Sequence, residues 1–299
     1  MKKIVSIAVF ALILFSGLGV ATAIAQSEML LRWSLKQGDK FDIEMAQQAT
    51  QELNLGGPQS IETNFTMRMS MTVDAVRENE FDVTQTIDSV KLSMESAFMS
   101  FDYDSATGEV PEGQAAMIVE GLKPMVGLSV KQTINHRGET TSVEINEDKL
   151  AELEANQIAG QFVSKDSFKQ MLSANGLILP EEAISQGDTW TSSFENAASG
   201  MKFKTDSTFT LAGTETVDGK ELAKITADQT MSTVSDDDAQ VAIQLKSQKS
   251  EAVFLFDNLA GRLTSATVNQ DMEMAVDQGG VQMDISTKSQ SKFTLTPAK

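Results

Sequence analysis

The chain has 299 residues, with 24 Lys and Arg against 42 Asp and Glu, a formal charge of −18, one His and no Cys. Without cysteine there are no disulfides, thiolate metal sites or cysteine nucleophiles, and no thiol at which to attach a lipid anchor. So acidic a surface repels phosphate backbones and anionic headgroups, so nucleic acid is not an expected partner.

Lys2 and Lys3 precede an apolar run, Ile4–Val20, and then small residues, Ala21–Ala25. This order reads as a signal peptide over residues 1–25, with cleavage before Gln26 or, as second choice, after Ala23. The alternative is an uncleaved anchor, for which an apolar run of about 17 residues is short. No later stretch reaches membrane length, so the expectation is an exported, periplasmic or extracellular protein with no span after cleavage. The roughly 270 remaining residues suffice for one large domain or two ordinary ones.

Strand patterns dominate the rest of the chain. The pentapeptide QGDKF, Gln37–Phe41, leads into the first of them. In Phe65–Val73 the residues Phe65, Met67, Met69, Met71 and Val73 alternate with polar ones, the period-2 pattern of a strand with one buried face. A turn over Asp74–Asn79 is predicted to return the chain through Phe81–Val83. Helical spacing appears at Glu112–Val126. Strand–turn–strand comes next over Ser129–Ile145, with Asn135–Gly138 as the turn. Two more helices are predicted, Asn146–Gln157 with Asn146 as its cap, and Lys165–Ser173, stopped by Asn175-Gly176.

Leu177–Pro180 is extended, and QGDTW, Gln186–Trp190, then repeats the opening motif. A hairpin joins Phe209–Leu211 to Leu222–Ile225 through Asp218-Gly219. A long strand runs from Val241 to Phe256 with its alternation broken near Ser247–Ser250, the mark of a bulge. A turn at Asp257–Gly261 leads into the next strand. Last comes a hairpin with Met272, Met274 and Val276 on one arm and Val281, Met283 and Ile285 on the other, turning at Asp277–Gly280.

The fold class expected is therefore mainly β: two tandem related curved antiparallel sheets or half-barrels, with helices in and after the first. The divisions are residues 26–176 and 177–299. In both motifs a glycine (Gly38, Gly187) permits a tight turn, an aspartate (Asp39, Asp188) bonds nearby amides, and an aromatic (Phe41, Trp190) starts a strand and plugs the core. The turns at Asn135–Gly138 and Asp257–Gly261 both end in glycine, which favours duplication over chance matching of short polar motifs.

The pattern L-P-x6-G-D-x-W at Leu179–Trp190, the earlier GDKF and the strand pair around a glycine turn resemble a family of secreted bacterial proteins defined as a domain of unknown function. The resemblance implies no catalytic residue, cofactor or substrate. The layout also resembles the half-open barrel of periplasmic lipoprotein carriers, in architecture alone.

Chemistry-bearing constellations are sparse. His136, the single histidine, falls in a predicted turn and reads as a solvated residue. Asp102, Asp104, Thr107 and Glu109, and separately Asp236–Asp238, lack the spacing of a calcium loop and read as acidic surface. Trp33 and Trp190 read as core caps at strand starts. Carboxylate pairs for a hydrolase exist in so acidic a chain by number alone. No metal or cofactor is expected.

Methionines on apolar strand faces, Met67, Met69, Met71, Met272, Met274 and Met283, have two readings. They fill a core, or they face an apolar ligand, for which flexible, polarizable side chains suit. The expected function is a non-catalytic binding or carrier module for an apolar small molecule or an envelope protein. Its rivals are a structural or assembly component of the cell envelope and, less favoured, a carboxylate hydrolase.

Overall fold

The computed structural model describes residues 28–54, 58–149, 151, 177–198, 201–234, 242–278 and 281–298. The expected signal peptide, the helix over 165–173, most of the helix from Asn146, Gly279-Gly280 and Asp236–Asp238 lie outside these residues.

The strands are β1 (Lys40–Asn54), β2 (Pro58–Arg77), β3 (Glu80–Ser96), β4 (Ser100–Asp104), β5 (Ser129–Asn135) and β6 (Thr140–Ile145). They continue with β7 (Thr189–Ala198), β8 (Met201–Val217), β9 (Lys220–Val234), β10 (Ala242–Asp257), β11 (Arg262–Gln278) and β12 (Val281–Pro297). All pair antiparallel, in the order β6-β5-β3-β2-β1-β12-β11-β10-β9-β8-β7, with β4 added beside β3. The mainly β, curved antiparallel class is the one expected, and the strands of both halves form a single open sheet. The seam is β1 against β12, paired from Phe41↔Pro297 to Leu53↔Ile285.

Local chemistry explains the strands. On β2, Met67, Met69, Met71 and Val73 are buried while Arg68 is exposed, the alternation of a sheet wet on one side. The first hairpin turn is shorter than predicted. β2 runs on to Arg77, and the turn is Glu78-Asn79 alone. An irregularity between Val73 and Ala75 lets pairing continue where alternation fails. The irregularity read near Ser247 is present between Leu245 and Ser247.

The helix read over Glu112–Val126 is α1 (Gln114–Leu122) followed by a 3-10 turn at Lys123–Met125, with Pro124 inside that turn. Ala115 and Val119 pack into the first of two core clusters, which also holds Phe41, Ile43, Met67, Met69, Met71 and Val83. The second cluster holds Leu31, Leu177, Leu179, Phe209, Ile225, Phe254 and Phe256. Trp33 and Phe293 pack against both.

Trp33 starts no strand. It lies in an extended segment across one end of the sheet, where Trp33 N donates to His136 O at 2.8 Å and Ser34 N to Gly261 O at 2.8 Å. His136 is accordingly half-buried rather than solvated, with Nδ1 buried and unpaired. Its position under the crossing segment could not be read from the turn alone.

The two Gln-Gly-Asp turns make matching bonds. Gly38 N donates to Val73 O at 2.8 Å and Gly187 N to Leu211 O at 2.8 Å. Asp39 Oδ2 accepts from Lys36 N at 2.9 Å, and Asp188 Oδ2 from Ser185 N at 2.8 Å. Gln37 Nε2 donates to Asp74 O at 3.0 Å, and Gln186 Nε2 to Ala212 O at 2.9 Å. Both glycines have positive φ, 87° and 93°, which requires glycine or strains any other residue. Phe41 then pairs with Met71, and Trp190 with Phe209.

Candidate functional site: an uncharged cavity at the seam

Directly paired residues share a face, so the register assembles the inner surface row by row. One row crosses eight strands as Val90, Met67, Met45, Phe293, Ala266, Phe254, Ile225 and Leu211, all apolar. The next runs Phe65, Gln47, Ser291, Val268, Ala252, Ala227, Phe209 and Trp190. The third is polar for most of its length: Thr63, Ala49, Ser289, Gln270, Ser250, Gln229, Ser207 and Ser192. No residue in these three rows is charged, although 22% of the chain is Asp, Glu, Lys or Arg. Charges fall on the other face, as with Arg68 and Glu44, which form an exposed ion pair at 2.9 Å.

Over the seam these rows line a half-open cavity of about 440 Å³. Met45, Phe65, Met67, Phe194, Phe254, Val268 and Phe293 supply its apolar lining, and Gln47, Gln229 and Ser291 its polar lining. Lys292 also borders it, but the register pairs Lys292 with Ala46 and Thr267 on the outer face, where it is exposed. A concave, mostly apolar space of this size with a few convergent polar groups has the form of a small-molecule site.

The polar edge is organised. Gln229 Nε2 donates to Ser207 Oγ at 3.3 Å, and Ser250 Oγ donates to Gln229 Oε1 at 3.0 Å. Ser207 and Ser250 are buried. Next to them Gln248 accepts from Met231 N at 2.9 Å and donates to Gln229 O at 3.3 Å, filling the ladder where β9 and β10 part.

The methionines separate by place. Met67 lines the cavity. Met69 and Met71 are buried in the first core cluster, Met71 Sδ accepting from Gln85 Nε2 at 3.6 Å. Met272 and Met274 are half-buried nearer the far ends of β10–β12, paired with Thr287 and Ile285, and Met283 is half-buried opposite Val276. Met45, Phe65, Phe194, Phe254, Val268 and Phe293 were missed. Each sits in an alternating strand, but the β1–β12 pairing that joins them links residues some 250 positions apart, which no local pattern encodes.

In the acidic loop, Asp104 is engaged by its own neighbours. Lys91 Nζ lies 2.6 Å from Asp104 Oδ2, and Ala106 N donates to Oδ1 at 2.9 Å. These bonds hold its carboxyl below the ordinary value, the Lys91 hydrogen bond foremost.

Residues 78–297 match the Family of unknown function (DUF6263), and the chain belongs to that family. No curated protein matches it. Among solved structures, a lipovitellin described under "lipid-protein interactions" is similar at 13% identity and TM-score 0.49, over 89% of this chain and 26% of its own. The chain thus spans about a quarter of that protein's length. An outer membrane channel from Pseudomonas putida F1 is similar at 8% identity and TM-score 0.29, over 88% and 97%. The translocator domain of an autotransporter from Neisseria meningitidis is similar at 8% identity and TM-score 0.20, over 87% and 89%. Among the described residues no helix is long and apolar enough to cross a membrane.

Proposed function

We propose that this is an exported, non-catalytic carrier or binding protein that seats an apolar ligand in the cavity over the β1–β12 seam. One observation carries the reading: three inner rows of the sheet are uncharged, and over the seam the side chains of the described residues leave about 440 Å³ between them. A protein that needed the surface only as core would gain by filling it, since each empty methyl-sized space forfeits dispersion contacts. The groups that line the space are thioether, aromatic, aliphatic, amide and hydroxyl. None is a general acid, base or nucleophile with an activating partner, which favours binding over turnover.

In this reading residues 1–25 serve as a cleaved export signal, so the carrier works in the periplasm or outside the cell. Its two halves are copies of one unit, a relationship supported by the matching bonds of the two Gln-Gly-Asp turns. The cavity then lies where the head strand of one copy meets the tail strand of the other.

The test uses the full mature chain. Titrating diphenylhexatriene into it should give saturable fluorescence near one probe per chain with micromolar affinity. Organic extraction of protein purified from its native envelope should release a bound amphiphile. Unsaturable fluorescence together with an empty extract would end the carrier reading.

A further inference from the structure

We infer that the ligand taken by this cavity is a neutral amphiphile, with an apolar chain against Met45, Met67 and Phe293 and an uncharged hydroxyl, ester or amide head against Gln229. This rests on the carrier reading above and adds the chemistry of the head. The observation behind it is the combination of three inner rows that carry no charged residue with an organised amide–hydroxyl edge. Gln229, which borders the cavity, joins Ser207 and Ser250, both buried, by hydrogen bonds of 3.3 and 3.0 Å.

A primary amide has two N–H donors and an oxygen with two lone pairs. Ser207 takes one donor and Ser250 one lone pair, which leaves Gln229 one of each. A hydroxyl or an N–H amide can meet both halves of that pairing. An ester or a carboxylate is acceptor-only and an ammonium donor-only, so each satisfies half of it, and the ester differs from the carboxylate in carrying no charge.

Charge decides more strongly. Transfer of an ion into an apolar site without a counter-ion is costly enough that the group neutralises instead of entering charged. No cation or carboxylate stands on the inner rows to offset that cost, and Lys292 at the border is exposed on the outer face. The net charge of −18 sets a further barrier to an anion.

Three amphiphiles of one chain length decide it: a monoacylglycerol, the free fatty acid at pH 8, and the alkylamine, each competing against diphenylhexatriene bound to the full chain. The monoacylglycerol should bind at least about tenfold tighter than either ion. Gln229→Leu should remove most of that advantage, weakening monoacylglycerol more than diphenylhexatriene. Because it also leaves the buried Ser207 and Ser250 hydroxyls without this partner, its unfolding midpoint should fall, and the affinities are compared below that midpoint.

An acid or amine that binds as well as the monoacylglycerol overturns the inference and leaves the carrier reading standing. So does a Gln229→Leu protein that weakens diphenylhexatriene and monoacylglycerol alike. If none of the four compounds binds, the carrier reading fails and this inference with it.

Discussion

Ser34 lies against Gly261 as tightly as two backbones can pack. Ser34 N donates to Gly261 O at 2.8 Å, and a Cβ added to the glycine would stand 2.6 Å from that nitrogen and 2.8 Å from Ser34 Cα. On the other side of the same segment, a Cβ on Gly138 would lie 2.8 Å from Trp33 Nε1 and 3.0 Å from Leu177 O. One extended segment is thereby clamped between the β5–β6 and β10–β11 turns. It carries Leu31 into one core cluster and Leu35 into the other.

Gly261→Ala should therefore cost well over the ~1 kcal/mol expected of a positive-φ glycine alone. Gly187→Ala is the matched control, since its φ is 93° and nothing lies within 4 Å of its added Cβ. Urea unfolding of the two variants should show the larger loss for Gly261→Ala. Equal losses would mean that the clamp yields freely.

Asp39→Ala and Asp188→Ala each delete one carboxylate bond to a backbone amide, from Lys36 and Ser185 respectively. Each should lower stability by about 0.5–1.5 kcal/mol, and by similar amounts, because the surrounding bonds match. The turns share no hydrogen bond, so the double variant should lose the sum. Unequal costs, or strong coupling in a double-mutant cycle, would argue against equivalent turns in the two halves.

How far could these features be read from the sequence? Period-2 alternation at Met67–Val73 and the glycines at 38, 187 and 261 gave the strands and their turns, because both signals are local. The seam is not local. Nothing near Met45 says that it will face Phe293, and nothing near Phe254 says that its row will reach Met67 through Ala266 and Phe293. Of the two readings of the methionines, core and ligand-facing, spacing alone separates neither. Met69 and Met71 have the same spacing as Met67 yet lie beside α1's core, while aromatic residues do more of the lining. Trp33 was misplaced because an extended segment without a sheet partner resembles a strand in composition.

The loop after β4 should report acid through Asp104. Its folded carboxyl sits below the ordinary 3.8, owing first to the Lys91 hydrogen bond and then to the Ala106 amide. A depressed folded value means that the contribution is complete above the unfolded value and is lost as pH falls through the folded one. Loosening of the Asp104–Thr107 turn should thus begin below about pH 3.8 and end beneath the lowered value. The side-chain carbon shift of Asp104 followed by NMR from pH 6 to 2 checks it. Lys91→Met should move the midpoint upward, and an unmoved midpoint would remove Lys91 as the cause.

Filling the cavity from its own wall separates binding from folding. Val268 is half-buried, borders the space and pairs with Ser291 and Ala252, neither of which is large. A phenyl ring in place of its isopropyl group can extend into about 440 Å³ of open volume instead of into packed atoms. Val268→Phe should therefore bury more apolar surface and leave the unfolding midpoint unchanged or raised, by up to roughly 1 kcal/mol. Overpacking of a filled core would instead cost about 1–3 kcal/mol. Diphenylhexatriene affinity should fall by about tenfold or more in the same variant, because ring and probe compete for one volume. Stability retained with binding lost identifies the seam cavity as the binding site. Stability lost would show the space already occupied by protein, and binding retained would place the ligand elsewhere on the sheet.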